Sequence, residues 1–398
     1  MQSICNHISY TTTIKGVNVK KLALYTFIDA FGYEIYKQHP DFLKDIIIDS
    51  KPMTSVLGFT NTCLPSILSG QYPQEHEQAS LFFYSDKSPF KWMKVLSFLP
   101  SFFDRFRVRN VLSKLVKKVH GYTGYFQLYS IPFNKLSYFD FTEKRDYFVP
   151  GAPFNTIFDY CAENNIPYHA SDWRMPEDHN LAAVQQKIEE AEVEFAWLYL
   201  PSLDGLLHKH GTQSEKIGEK IKWLDEEITA IYHEAKEKYD EVSLYVFSDH
   251  GMEDVTAGHD LISDIDSLGL EYGEDYVAMY DSSMARFWFK NDDAKEKIIA
   301  KLKTVERGSI LDKEELKRVK TYFEDGKFGD LFFVMDPGIM INPSFFGKNL
   351  IAGMHGYHPD AEASNAILLS TEMIDDEIKS ITDIRKTMEK ELAGNGKS

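Results

Sequence analysis

Leu244-Tyr245-Val246-Phe247-Ser248-Asp249-His250-Gly251-Met252 is a short apolar run that stops abruptly at an acid, an imidazole and a glycine. The charged segment 238–241 bounds it behind, so the run reads as a buried strand of an α/β sheet. Open α/β sheets place ligands at the carboxyl ends of their strands, and an aspartate beside a histidine offers metal donors there. Taken alone, Asp249 reads more readily as the cap of a following helix, and His250 as a hydrogen-bonded loop residue. The rest of the chain decides, because its other strand ends and loops carry complementary donors.

Upstream, Leu22-Ala23-Leu24-Tyr25-Thr26-Phe27-Ile28 is a second apolar run, ending in Asp29-Ala30-Phe31-Gly32. A third, 194–200, leads into Pro201-Ser202-Leu203-Asp204-Gly205-Leu206-Leu207-His208. Asp204 and His208 are four apart, a spacing that puts both on one face if a helical turn begins there. Between the first and third runs, the hydroxyl-rich turn 55–62 passes into a short helix that Gly70 closes. The free N–H groups of such a helix start favour an anion or a developing alkoxide. Thr60 stands at that start, as an N-cap or as a nucleophile. Late in the chain comes Ala352-Gly353-Met354-His355-Gly356-Tyr357-His358.

The candidate donors are then Asp29, Thr60, Asp204, His208, Asp249, His250 and His355. Zinc accepts imidazole nitrogen and carboxylate oxygen, and manganese accepts the same set. Seven donors are too many for one catalytic ion and suit two. Two ions roughly 4 Å apart can stabilise both the attacking and the leaving oxygen of an in-line displacement. A metal-bound Thr60 hydroxyl would lose its proton far more readily than a free one.

Size and composition bound this reading. The 398 residues can bury a large core, and 43% hydrophobic with 26% charged content is ordinary for a soluble globular protein. A net charge of −17 argues against nucleic-acid binding by phosphate neutralisation. Cys5, Cys63 and Cys161 are too scattered for a disulfide framework or a CxxC metal site. Residues 1–19 are polar, and no run is long enough to span a bilayer, so the expectation is a soluble cytoplasmic protein. Helices are expected over 154–164, 180–192 and 214–238, with a short strand at 167–170, an aromatic strand at 284–289 and a charged helical tail over 375–398. The stripe Ile217, Ile221, Leu224, Ile228 and Ile231 is core.

From 82 to 150 the texture changes. Phe82, Phe83, Tyr84, Phe90, Trp92, Phe98, Phe102, Phe103 and Phe106 crowd in among Lys87, Lys91, Lys94, Arg105, Arg107, Arg109, Lys114, Lys117 and Lys118, with Asp86 and Asp104 opposing them. The island reads as an inserted cap with its own aromatic core, as a lid over an anionic substrate, or as a surface for peripheral contact with anionic lipid.

The pieces Ile28-Asp29-Ala30-Phe31-Gly32, Thr60 ten residues before Gly70, Asp204-x-x-x-His208, Ser248-Asp249-His250-Gly251-Met252 and Met354-His355-Gly356-Tyr357 together resemble the alkaline phosphatase superfamily. Within it the match is to the type I phosphodiesterase/nucleotide pyrophosphatase branch, across residues 20 to 370. The resemblance implies an α/β/α sandwich on a mostly parallel sheet, its catalytic core formed by 20–81 and 151–375. A cap at 82–150 interrupts that core, and a smaller excursion is expected near 265–335. It implies one zinc-like ion on Asp204, His208 and His355, and another on Asp29, Asp249 and His250 with the Thr60 oxygen. It also implies a phospho-threonine intermediate on a small-molecule phosphodiester or pyrophosphate, and the basic aromatic island adds a lipid-linked phosphodiester as an alternative substrate.

Two details depart from the family pattern. His76-Glu77 stands where His-Gly is usual, and Ser80 stands near the place of an asparagine that holds a phosphate oxygen. Asn61, beside the nucleophile, is the candidate for that contact. His76, His210, His259 and His358 lie near motifs without belonging to them. A phosphomonoesterase, phosphomutase or phosphonate hydrolase would use the same donors. A sulfatase would need the arginine that Ile67 replaces after Cys63-Leu64-Pro65-Ser66, and a non-catalytic protein would lack a donor.

Overall fold

The computed structural model describes residues 19–98 and 105–393, so residues 1–18 of the polar leader with Cys5, then Phe102, Phe103 and Asp104, and the end of the expected helical tail, 394–398, lie outside the described residues. Six strands form the central sheet, in the order Asp49–Met53, Ala366–Ser370, Glu241–Phe247, Lys21–Ile28, Phe195–Leu200, Tyr168–Ala170. Lys21–Ile28 pairs in parallel with both Glu241–Phe247 and Phe195–Leu200. Ala366–Ser370 alone runs against its neighbours. The charged 238–241 segment does not bound the strand from outside as expected. Glu241 opens the strand opposite Lys21, and their side chains pair at 2.6 Å.

Alternation along these strands divides the residues between two cores. Leu22, Leu24, Ile28, Ala196, Leu198, Leu200, Leu244 and Val246 face the helices Glu177–Glu190, Ser202–His210 and Glu215–Lys238. Ala23, Tyr25, Phe27, Phe195, Trp197, Tyr245 and Phe247 face Thr60–Ser69, Ile157–Glu163 and Ile384–Ala393. The first layer is aliphatic and the second aromatic. Full burial of each such side chain stabilises the fold by roughly 1.5–3 kcal/mol. The expected isoleucine and leucine stripe of Glu215–Lys238 is buried throughout. The tail is helical only from Ile384; Ser380 and Asp383 form a capping box around a 3-10 turn that delays it.

Segment 82–150 and the residues of the expected 265–335 excursion share a single core. Phe82, Phe90, Phe126, Phe139 and Phe141 pack with Tyr276, Phe287, Trp288 and Phe333 of the antiparallel sheet Tyr276–Tyr280, Met284–Phe289, Leu331–Met335, Gly308–Leu311. Arg286 joins the two. Its buried guanidinium donates to the Phe82 carbonyl at 3.0 Å, the Phe328 carbonyl at 3.2 Å, Ser80 Oγ at 2.8 Å and Asp281 Oδ2 at 3.1 Å. The aromatic island thus divides by direction. Phe82 and Phe90 point inward as core, whereas Trp92, Phe98 and Phe106 face solvent among exposed lysines and arginines.

Candidate active site and metal centre

Every expected donor but His208 stands where a strand ends or a helix begins; His208 lies in the last turn of the helix that Asp204 opens. Asp29 follows Lys21–Ile28, and the chain then turns through Ala30 in a left-handed conformation with φ 61°. Asp249 and His250 follow Glu241–Phe247; no helix comes next, so Asp249 is not a helix cap. The two loops touch through glycines. A Cβ on Gly32 would lie 2.3 Å from the Gly251 Cα, and one on Gly251 would lie 2.3 Å from the Ala363 carbonyl. Without these glycines the two aspartates could not approach. Asp249 Oδ1 also accepts from the Ala30 N–H at 3.3 Å, and Ser55 Oγ donates to the Asp249 carbonyl at 2.7 Å.

Thr60 is not the N-cap of its helix. Phe59 holds the cap position with no side-chain bond, and Thr60 is the first helical residue. Its hydroxyl lies 3.1 Å from His250 Nε2 and 3.4 Å from Asp29 Oδ1. Ser202–His210 supplies the helical turn that the Asp204/His208 spacing required. His208 Nε2 and His355 Nε2 lie 3.3 and 3.5 Å from Asp204 Oδ1. The imidazoles of His250 and His355 stack with centroids 3.8 Å apart, which ties the two donor groups into one site.

Two clusters result. Asp204, His208 and His355 present ligand atoms within 4.8 Å of one another, and so do Asp29, Asp249 and His250. Their electrostatics are those of a site built for cations. Burial, then Asp249 and Asp204, pushes the Asp29 carboxyl well above the usual carboxylate range. Burial also raises Asp204, against the pull of His208 and His250. His355 is driven well below the ordinary histidine value by burial and by its two neighbouring imidazoles. It therefore offers a neutral ring. For His250 burial acts downward, but Asp249 and Asp204 outweigh it and the net shift is upward. Buried Asp204 Oδ1, Asp249 Oδ2 and His355 Nδ1 have no hydrogen-bond partner among the described residues. Second contacts orient the rings: His208 Nδ1 faces the Gly353 carbonyl at 2.8 Å and His250 Nδ1 the Gly251 carbonyl at 2.9 Å. Such outer bonds direct the other nitrogen to a metal. The donor set, the unpartnered atoms and the oriented rings all fit divalent ions.

A third acidic group, Glu315, His358 and Asp360, is an ion-pair network instead, since Arg318 pairs with both carboxylates at 2.5 Å. The other motif-adjacent histidines are also structural. His76 bonds Ser66 Oγ at 2.9 Å and is pushed down to about 3 by burial. His259 pairs with Asp264 at 2.8 Å. Neither these nor His210 lines the central cavity.

That cavity, about 420 Å³, opens from Thr60 and is lined also by Asn61 and Ser80. Ser80 Oγ is taken up by Arg286, so at that place the chain has a core contact in place of a phosphate ligand. The far wall consists of Tyr125, Tyr129, Glu143, Phe148, Trp173 and Phe346. None of these follows from a sequence motif. They come from separate loops, and only the aromatic texture of 82–150, which supplies Tyr125, Tyr129 and Phe148 but not Trp173 or Phe346, hinted at a wall. Among the described residues, no lysine or arginine lines the cavity.

The chain matches the family model described as "Type I phosphodiesterase / nucleotide pyrophosphatase" over residues 43–358. That span contains all the expected donors except Asp29, which lies ahead of it. No match was found among curated protein sequences. Among solved structures, murine ectonucleotide pyrophosphatase / phosphodiesterase 5 is similar, with 16% identity and a TM-score of 0.65 over 94% of this chain and 95% of that one. The human form aligns at 14% identity and a TM-score of 0.66 over the same shares, 94% and 95%. An inactive threonine-to-alanine variant of the murine form in complex with AMP aligns at 15% identity, TM-score 0.65, again over 94% and 95%.

The repulsion among the buried carboxylates makes a prediction. With metal removed by chelation, Asp29→Asn should raise the thermal midpoint at neutral pH by a few degrees. A raised carboxyl value in the folded state lowers stability as pH rises from the unfolded value of about 4 towards it. The gain should accordingly disappear below about pH 4, where the carboxyl is protonated in both states. Calorimetry of the apo-protein across that range measures it.

Proposed function

The chain belongs to the type I phosphodiesterase / nucleotide pyrophosphatase family, and on that premise we propose that it cleaves a phosphodiester or pyrophosphate with Thr60 as the nucleophile and two divalent ions as cofactors. Asp204, His208 and His355 would hold one ion, and Asp29, Asp249, His250 and the Thr60 oxygen the other. Imidazole with carboxylate suits zinc, and manganese accepts the same donors. Bound there, the ions would supply Lewis-acid stabilisation of the attacking and leaving oxygens.

The chain's own groups do the rest. The helix Thr60–Ser69 aims its first N–H groups, Asn61 among them, at the place where a phosphate oxygen would sit. Asp29 Oδ1 accepts the Thr60 hydrogen bond and is the first station for its proton. The Thr60 oxygen bonds to phosphorus as the bond to one ester arm breaks, and that arm leaves as an alcohol carrying a proton. Water then displaces the Thr60 oxygen in a second in-line step, releasing the other arm as a monoester.

The observation that carries the diester reading is the cavity wall. A dianionic monoester calls for additional cations, whereas the wall is aromatic apart from the acidic Glu143 and, among the described residues, holds no lysine or arginine. It suits the body of a second ester arm. This speaks against a phosphomonoesterase or phosphomutase. The sulfatase alternative fails on Cys63, which is fully buried in the aromatic core and 3.5 Å from Ser55 Oγ. Thr60→Ala should lower diester hydrolysis by at least about 10³-fold while metal content stays near wild type. Full activity in that variant, read with a nitrophenyl diester, would remove the threonine mechanism.

The outer face of the cap supports a membrane-proximal, lipid-linked substrate. Val111, Leu115 and Val119 recur every four residues on the exposed side of Phe106–His120, beside exposed Arg107, Lys114 and Lys118. Trp92, Val95 and Phe98 are exposed on Lys91–Phe98 beside Lys91 and Lys94. On a chain of net charge −17 this local basic, apolar face is complementary to anionic lipid. No described helix is long and apolar enough to cross a membrane. The protein is expected to co-sediment with phosphatidylserine vesicles, less so at high salt, and to lose that binding in a Val111→Glu/Leu115→Glu variant. Retention of all protein in the supernatant would dismiss the contact.

A further inference from the structure

The wall of the cavity away from Thr60 carries one charged group that the hydrolytic machinery does not use. Glu143 lines the cavity, half-buried, and belongs to neither donor cluster. One of its oxygens accepts the Tyr125 N–H at 2.9 Å. It has no ion-pair partner among the described residues. The two cations nearest in effect are committed elsewhere: Lys117 donates to the Gly124 carbonyl at 2.6 Å, and Arg174 pairs with Asp146 at 2.6 Å and Asp172 at 2.9 Å.

Around this acid the cavity presents rings. Tyr125 and Tyr129 share a hydroxyl–hydroxyl hydrogen bond of 2.8 Å, and Tyr129 packs on Phe346 with centroids 4.4 Å apart. Phe148 and Tyr199, edge to face at 5.5 Å, complete the side nearer the sheet. Aromatic faces attract a cation through their quadrupole, most strongly where water is excluded, and one carboxylate among them supplies the counter-charge. Burial pushes the Glu143 carboxyl up to about 8, Asp146 adding to the rise and the Tyr125 N–H, Lys117 and Arg174 opposing it. The carboxylate is thus poorly accommodated among these rings, and a bound cation would relieve that.

We propose that this aromatic end of the cavity is a cation subsite, which recognises a phosphodiester arm bearing a quaternary or protonated amine. The substrate class is that of the aminoalcohol phosphodiesters, free or as a lipid headgroup. The assignment rests on the diester-hydrolase reading and adds to it the identity of one ester arm. A nucleobase could also stack on these rings, but it would bring no positive charge to meet Glu143.

The test uses the metal-loaded protein and reads binding apart from turnover. Calorimetric titration with phosphocholine, inorganic phosphate and AMP compares the three probes directly. Phosphocholine should bind about tenfold or more tightly than phosphate, the scale of a desolvated cation–π contact plus an ion pair. Glu143→Gln should remove most of that difference, and Tyr129→Ala should narrow it. In turnover, the ratio of kcat/KM for nitrophenyl phosphorylcholine over nitrophenyl ethyl phosphate should fall about tenfold in Glu143→Gln. Glycerophosphocholine against phosphatidylcholine vesicles separates the soluble source from the lipid one. Equal binding of phosphocholine and phosphate by the wild type overturns the subsite without any variant. A selectivity ratio that survives Glu143→Gln, or tighter binding of AMP than of phosphocholine, does the same. Loss of wild-type diester hydrolysis with phosphocholine selectivity intact would overturn the hydrolase reading and leave the subsite standing.

Discussion

Three carboxylates that repel one another are forced together at the carboxyl end of a parallel sheet, and the rest of the structure serves that placement. Asp29 and Asp249 are buried, and Asp204 adds its charge to both. In water such groups would separate. Here the strand pairing of Lys21–Ile28 with Glu241–Phe247 and with Phe195–Leu200 fixes their spacing through backbone hydrogen bonds the charges cannot break. The repulsion is stored by the fold and is relieved by cations, which is why buried acid clusters of this kind mark functional sites.

Local devices bring the donors the remaining distance. Gly32 and Gly251 let two loops touch where any side chain would collide. The helix Thr60–Ser69 packs its Cys63, Leu64, Ile67 and Leu68 on the aromatic face of the sheet, and that packing sets Thr60 between Asp29 and His250. The stacked imidazoles of His250 and His355 join the two clusters across the mouth of the cavity. Further out, Arg286 fastens the inserted segment to the antiparallel sheet. That contact holds up the aromatic wall opposite the donors.

Much of this was legible from residue order. The apolar runs leading into Asp29, Asp204 and Asp249 indicated the sheet and which end of it mattered, because continuous apolar runs mark strands buried on both faces and ligands gather at their carboxyl ends. The Asp204/His208 spacing carried its own geometry. The cavity wall was not legible: Tyr125, Glu143, Phe148 and Phe346 meet only through tertiary packing, and no spacing rule links them. Nor could the sequence separate the inward from the outward aromatics of the island, since Phe90 and Phe98 look alike until the shared core with Trp288 is in place. Ser80 was read as a gap in a phosphate-binding pattern, and only the structure joins it to Arg286. The strand start at Glu241 was hidden for a related reason: a surface ion pair with Lys21 allows charged residues within a strand.

The claim on which the account depends is that the two clusters act together as a two-ion cradle around Thr60. Anomalous diffraction from zinc-loaded crystals, recorded on either side of the zinc absorption edge, tests it directly. The account predicts two peaks, one against Asp204, His208 and His355 and one against Asp29, Asp249 and His250, both within reach of the Thr60 oxygen. A single peak, or ions bound away from these residues, would contradict it.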